Sequence, residues 1–129
     1  MQPNTHLGID PSLCGHPDTL GPGTATVRLQ TTAAMAADAR GLVHGGFVFG
    51  AADYAAMLAV NDPNVVLGSA DTRFLAPVQV GQVVHIAAQI TTTKGRKRVV
   101  QVTATVAETQ VLTGSLTCFV LDDHVLGPA

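Results

Sequence analysis

The chain has 129 residues, 47% hydrophobic and 12% charged, with 13 Gly and 7 Pro, the range of one compact globular domain rather than a disordered or fibrous chain. A formal net charge of -2 supplies no basic field for nucleic acid. Two cysteines, Cys14 and Cys118, are too few for a disulfide framework and lack metal-ligand spacing.

No Lys or Arg precedes Arg28 and no unbroken apolar run opens the sequence, so neither a secretory signal nor a membrane span is read there, and a cytoplasmic location is expected. The charged fraction is about half of the roughly 25% usual in soluble domains. Burial of an apolar face between identical subunits is therefore expected.

Residues 1–129 read as one domain, opening with an arm over residues 1–23. The arm is punctuated by Pro3, Pro11, Pro17 and Pro22 and by Gly8, Gly15, Gly21 and Gly23, which predicts turns and at most one short helix. Thr24 to Leu29 alternates as a strand, and Gln30 to Gly41 reads as a loop. Gly45 to Val60 is sixteen residues without Pro and nearly without charge, too long for a strand and too short to span a membrane. Its Ala and Met favour helix, and a helix apolar all round has to be wrapped by the rest of the chain. Asn61, Asp62, Pro63 and Asn64 end it. Strands follow near Val65 to Ser69, Asp71 to Leu75, Gln82 to Thr93, Lys97 to Thr109 and Val111 to Leu121, with a loop at Pro77 to Gly81 and a hairpin turn at Lys94 to Arg96. One buried helix against one antiparallel sheet, an α+β fold, is the expected result.

Two local features carry chemistry. Val43-His44-Gly45-Gly46 stands just before the helix, where glycines let a ligand approach free backbone amides, and where those amides and the helix dipole favour developing negative charge. The same glycines also serve where a helix start is tightly packed. Asp53 is the one strongly ionisable group within the apolar helix, and a carboxylate buried there needs either a structural hydrogen-bond network or a chemical task. Nine residues of helix separate it from His44, roughly 13 Å, so a single reacting carbon cannot touch both ends within one subunit. Lys94, Arg96, Lys97 and Arg98 gather four of the seven basic residues into one hairpin, either a phosphate contact or a solvated turn guarding strand edges.

The string Asp38-Ala39-Arg40-Gly41-Leu42-Val43-His44-Gly45-Gly46, with Asp53 nine positions after the His, resembles the phenylacetic-acid-pathway type of hot dog thioesterase. Arg73-Phe74-Leu75-Ala76-Pro77-Val78 followed by Gly81, and Gly95-Arg96, extend the likeness, which covers roughly Thr24 to Val120. The resemblance implies a hot dog fold, a long central helix wrapped by a curved antiparallel sheet, assembled as a homodimer or dimer of dimers with active sites between subunits. It implies an acyl-CoA substrate, with Asp53 of one subunit as general base or nucleophile. The Gly45 amide of the other, with Gly46, would hold the carbonyl oxygen while His44 orients the loop. Relatives carry Asn or Gln where this chain has Asp38, and a carboxylate donates a hydrogen bond only when protonated. Ser69 lies near a position where relatives place a hydroxyl from the second subunit. Arg96, Lys97 and Arg98 are candidate phosphate contacts, and Phe47 is a candidate wall of the acyl pocket. Thioester hydrolysis needs only a base and oxyanion donors, so no metal or redox cofactor is required. Two other readings stand beside it: a non-catalytic acyl-CoA-binding sensor or carrier, and a hydratase on the same scaffold, although the Asp and His five residues apart that mark such hydratases are absent.

Overall fold

The computed structural model describes residues 1–129. The chain runs α1 (Pro11–Cys14), β1 (His16–Gly21), β2 (Thr24–Gln30), a 3-10 turn (Ala33–Met35), α2 (Gly45–Val60), β3 (Val65–Phe74), β4 (Val83–Lys94), β5 (Lys97–Val106) and β6 (Thr109–Val120). The six strands form one antiparallel sheet in the order β1-β2-β4-β5-β6-β3. Five strand spacings make such a sheet roughly 24 Å wide, twice the diameter of a helix, yet α2 touches every strand. The sheet therefore curls around it.

Alternation along the strands builds this enclosure. Val84, Ile86 and Ala88 of β4, Val100, Val102 and Ala104 of β5, and Leu112, Leu116 and Cys118 of β6 are buried. Between them His85, Ala87 and Gln89 of β4 and Gln101 of β5 face outward and are exposed, as the two-residue period requires. Against the inner face lie Val48, Ala51, Ala52 and all of Tyr54 to Ala59 of α2. Small alanines let the helix sit close to the sheet, and Met57 and Leu58 fill the remaining space with Leu29, Met35 and Ile86. Both cysteines pack with this core.

The arm does more than the sequence predicts. Besides the short α1, capped by Asp10 accepting from the Ser12 amide at 2.9 Å, it contributes β1, which the prolines conceal. Pro17 sits beside an irregularity in the edge strand, where an absent N–H costs no ladder bond. The first turns of the chain fold back onto the end of α2: Asn61, in the left-handed conformation at φ 56, donates through Nδ2 to the Gln2 carbonyl at 3.0 Å and accepts from the Asn4 amide at 2.7 Å. Two further expectations are corrected. The stretches Val65 to Ser69 and Asp71 to Leu75 are a single strand, β3, bulged between Leu67 and Ser69. The expected strand from Lys97 to Thr109 ends at Val106, because Ala107 turns the chain at φ 52 without any glycine or asparagine to announce it.

Candidate active site

The segment before α2 is held from both sides. The Ala37 amide donates to the Leu42 carbonyl at 2.7 Å, the His44 amide to Met35 at 2.9 Å, the Val43 amide to Val78 at 2.8 Å, and the Val80 amide to Gly41 at 2.8 Å. Residues 36–37, 42–43 and 78–80 thus form a small three-stranded ribbon, and 38–41 is its tight turn. Asp38 closes that turn: its Oδ1 accepts from the Arg40 amide at 2.9 Å and the Leu42 amide at 3.2 Å, an Asx-turn. An asparagine oxygen would accept the same two bonds. Asp38→Asn is accordingly expected to leave the denaturation midpoint almost unchanged, whereas Asp38→Ala, which removes the acceptor, lowers stability by about 1 kcal/mol in the same titration.

His44 occupies the N-cap in an extended conformation, and its side chain makes no capping bond. The ring instead covers Gly46 and meets the Phe47 ring edge to face, centroids 6.2 Å apart. A methyl group placed on Gly46 would lie 3.1 Å from the His44 ring, and one on Gly45 would lie 3.1 Å from Phe74. Both glycines are thus roofed by aromatic rings. The Phe47 amide bonds back to the His44 carbonyl at 3.1 Å, while the Gly45 and Gly46 amides find no acceptor in the chain. These are two free donors at the positive end of a sixteen-residue helix, the geometry that stabilises an oxyanion.

Asp53 lies further along α2, partly covered, and its Oδ1 is buried without any hydrogen-bond partner. Burial alone pushes its carboxyl up to about 6. Neighbouring thiols feel the same environment: burial lifts Cys118 to about 12, with the Asp53 charge adding to it, and raises Cys14 as well. Neither cysteine is a thiolate at neutral pH, and Asp53 is the one carboxylate carried by α2.

An open apolar groove of about 430 Å³ starts at Gly45 and is walled by Val43, Val48, Phe74, Leu75, Val78 and Val111 among others. Phe74 on its rim is 57% exposed, an unusual state for a strand-end aromatic. Phe47, expected to line the acyl pocket, is half-buried against the core and does not border this groove. Ser69 is exposed on the outer face of the sheet: Ala70 pairs with buried Leu116, so Ala70, Thr72 and Phe74 face the helix and Ser69, Asp71 and Arg73 face away. The hydroxyl that does face inward is that of Thr72.

The basic hairpin is remote from this groove within one chain. Lys97 is level with Phe119, and Phe119 with Val66, so the turn sits roughly 25 Å along the sheet from Phe74 and Gly45. Its arginines are also engaged: Arg96 pairs with Asp122, and Arg98 donates to the Gly95 and Lys97 carbonyls at 2.7 and 3.1 Å.

A buried helix wrapped by one curled antiparallel sheet, with free glycine amides at the helix start, defines a hot dog protein. The chain belongs to the thioesterase superfamily, which matches residues 40–113. It is 48% identical over 123 residues to the methylthioribose-1-phosphate isomerase of Aquifex aeolicus, covering 95% of this chain but only 27% of that relative's length. Among solved structures it is similar to an uncharacterized protein of Pyrococcus horikoshii (47% identity, 98% of this chain and 97% of that one, TM-score 0.96). It also resembles a mutant of the phenylacetic acid degradation protein PaaI of Thermus thermophilus (28% identity, 84% and 95% covered, TM-score 0.77). A hypothetical thioesterase of Streptococcus pneumoniae, solved with coenzyme A, shares the fold at 19% identity (84% and 87% covered, TM-score 0.76). No helix is long and apolar enough to cross a membrane.

Proposed function

We propose that this chain hydrolyses acyl-CoA thioesters, with Asp53 as general base and the Gly45 and Gly46 amides as oxyanion donors. The observation that carries this reading is the orphaned, buried carboxylate oxygen of Asp53, held in an apolar helix that begins with two unpartnered amides. A structural carboxylate is normally hydrogen-bonded within its own chain, whereas a general base keeps a lone pair for the proton it takes. Membership of the thioesterase superfamily and the coenzyme A bound to a protein of the same fold support the choice of substrate.

In the proposed reaction Asp53 takes a proton from water as the oxygen adds to the thioester carbonyl. The resulting oxyanion accepts from the glycine amides. Collapse expels the coenzyme A thiolate, which recovers the proton from Asp53, leaving a free acid and a thiol. The base and the donors of one site come from different subunits, because eight residues of rigid helix part Asp53 from Gly45 within one chain. The ten-residue β3 is an open sheet edge, and natural sheets rarely leave such an edge unpaired. Antiparallel pairing of β3 with its copy would lay the start of the partner subunit's α2 beside the other half of this one.

Two measurements test this reading. Free-thiol release from a panel of short, medium, long and aryl acyl-CoAs is expected from the wild type; binding of the panel without release would instead indicate a carrier or sensor. Mixing inactive Asp53→Asn and Gly45→Pro subunits is expected to restore about a quarter of wild-type turnover, since half of a random population of dimers would each hold one intact composite site. A site contained in one chain would give no recovery.

A further inference from the structure

The turn 38–41 carries Arg40 at its tip. Its guanidinium makes no hydrogen bond or ion pair, although Arg28 and Arg96 are both paired with carboxylates. Arg40 borders a cavity of about 550 Å³ lined also by Asp38, Leu42, Pro77, Gln79 and Gln82. This cavity and the apolar groove that starts at Gly45 share Pro77 and Val78 as a common wall. An elongated ligand whose carbonyl rests on the Gly45 amide can therefore continue over that wall from an apolar space into a polar one. Polar side chains and one free guanidinium await it there. Residues 41–43 just after the tip pair with 36–37 on one side and 78–80 on the other, so the backbone that carries Arg40 is fixed before any ligand arrives. Asp38, the acidic group of this cavity, is turned to the loop amides and forms no ion pair with Arg40.

We infer that this cavity binds the phosphate-bearing end of the thioester carrier, with Arg40 as its anion contact. The inference rests on the acyl-CoA reading and deepens it: the carrier would be recognised beside the same chain's helix start, not by the Lys94 to Arg98 hairpin at the far end of the sheet. A guanidinium suits phosphate because it offers paired donors in a fixed plane.

The test compares one acyl group on two carriers, coenzyme A and N-acetylcysteamine, the second lacking phosphate, alongside calorimetric binding of coenzyme A itself. Arg40→Gln is expected to weaken coenzyme A binding and raise KM for the acyl-CoA about 10- to 100-fold, the range of a hydrogen bond to a charged group. Turnover of the cysteamine thioester should stay at the wild-type level, and Arg40→Lys should recover part of the loss. Added salt should shrink the difference between Arg40→Gln and wild type on the acyl-CoA. If Arg40→Gln leaves both carriers unchanged while Lys94→Gln with Lys97→Gln impairs the acyl-CoA, the hairpin reads the phosphates and the inference is overturned. Wild type that cleaves the cysteamine thioester but does not bind coenzyme A also overturns it, with the thioesterase reading intact. Wild type that neither binds coenzyme A nor cleaves either thioester removes both.

Discussion

Asp53→Asn is expected to lower kcat by about 100- to 10,000-fold, the usual weight of a general base, and at the same time to make the protein more stable. Both effects have one origin. Burial raises the carboxyl from 3.8 to about 6, so the folded chain holds this proton more tightly than the unfolded chain does. Stability linked to Asp53 is then greatest below pH 3.8, is lost as pH rises to about 6, and stays lost above that. With a discount for the partial exposure of the group, the cost is on the order of 2 kcal/mol at neutral pH. Removing the charge should raise the melting temperature by several degrees at pH 8 and hardly at all at pH 3. The wild-type kcat/KM should fall on the acid side with an apparent pKa near 6, and this limb should be absent from the residual activity of the Asn variant. A mutant that loses stability along with turnover at pH 8 would mark Asp53 as a structural anchor.

Gly45→Pro is expected to cost about 100- to 1,000-fold in kcat, the price of one oxyanion donor, in a protein that still folds. Proline is well suited to the first helical position, where its missing N–H breaks no intrahelical bond. His44 before it already has the extended backbone that a following proline demands, at φ -63 and ψ 129. The added carbons would approach the Phe74 ring, which lies 3.1 Å from a methyl placed on Gly45, so crowding has to be separated from loss of the N–H. Gly45→Ala is the matching control, bringing the same Cβ but keeping the amide proton. If alanine and proline lose equal activity, crowding against Phe74 is responsible and the amide is not a donor. A large loss confined to proline isolates the N–H.

Much of this arrangement is legible in the sequence, and the illegible parts have physical causes. Gly45 to Val60 announces a wrapped helix because an apolar segment too long for a strand and too short to span a membrane has to be enclosed by the rest of a small fold, and its observed limits are those read from the sequence. Gly45, Gly46 and Asp53 stand out for the same reason: they are the residues that an ordinary core helix would not choose. The face that Ser69 takes cannot be read from its position, because side-chain direction in a strand depends on parity. The bulge between Leu67 and Ser69 shifts that parity by one, turning Ser69 outward and Thr72 inward. Nothing in Val-Val-Leu-Gly-Ser marks the bulge except the glycine, which serves equally well as a plain strand residue. The hairpin from Lys94 to Arg98 is a cluster in sequence, but only strand register places it away from Gly45. Arg40, a single charge in a loop, offers no pattern at all. Its standing comes from the ribbon that folds beneath it and from the cavity at its side.

That ribbon also bears on the thermodynamics of recognition. The amides of Val43 and His44 are already committed to carbonyls of Val78 and Met35, so the donors that follow them cannot drift toward a ligand or away from it. Loops that order only on contact surrender conformational entropy at the moment of binding. Here that loss belongs to folding, and in the reaction proposed above a carbonyl resting on those amides would meet dipoles that need no reorientation as its charge develops.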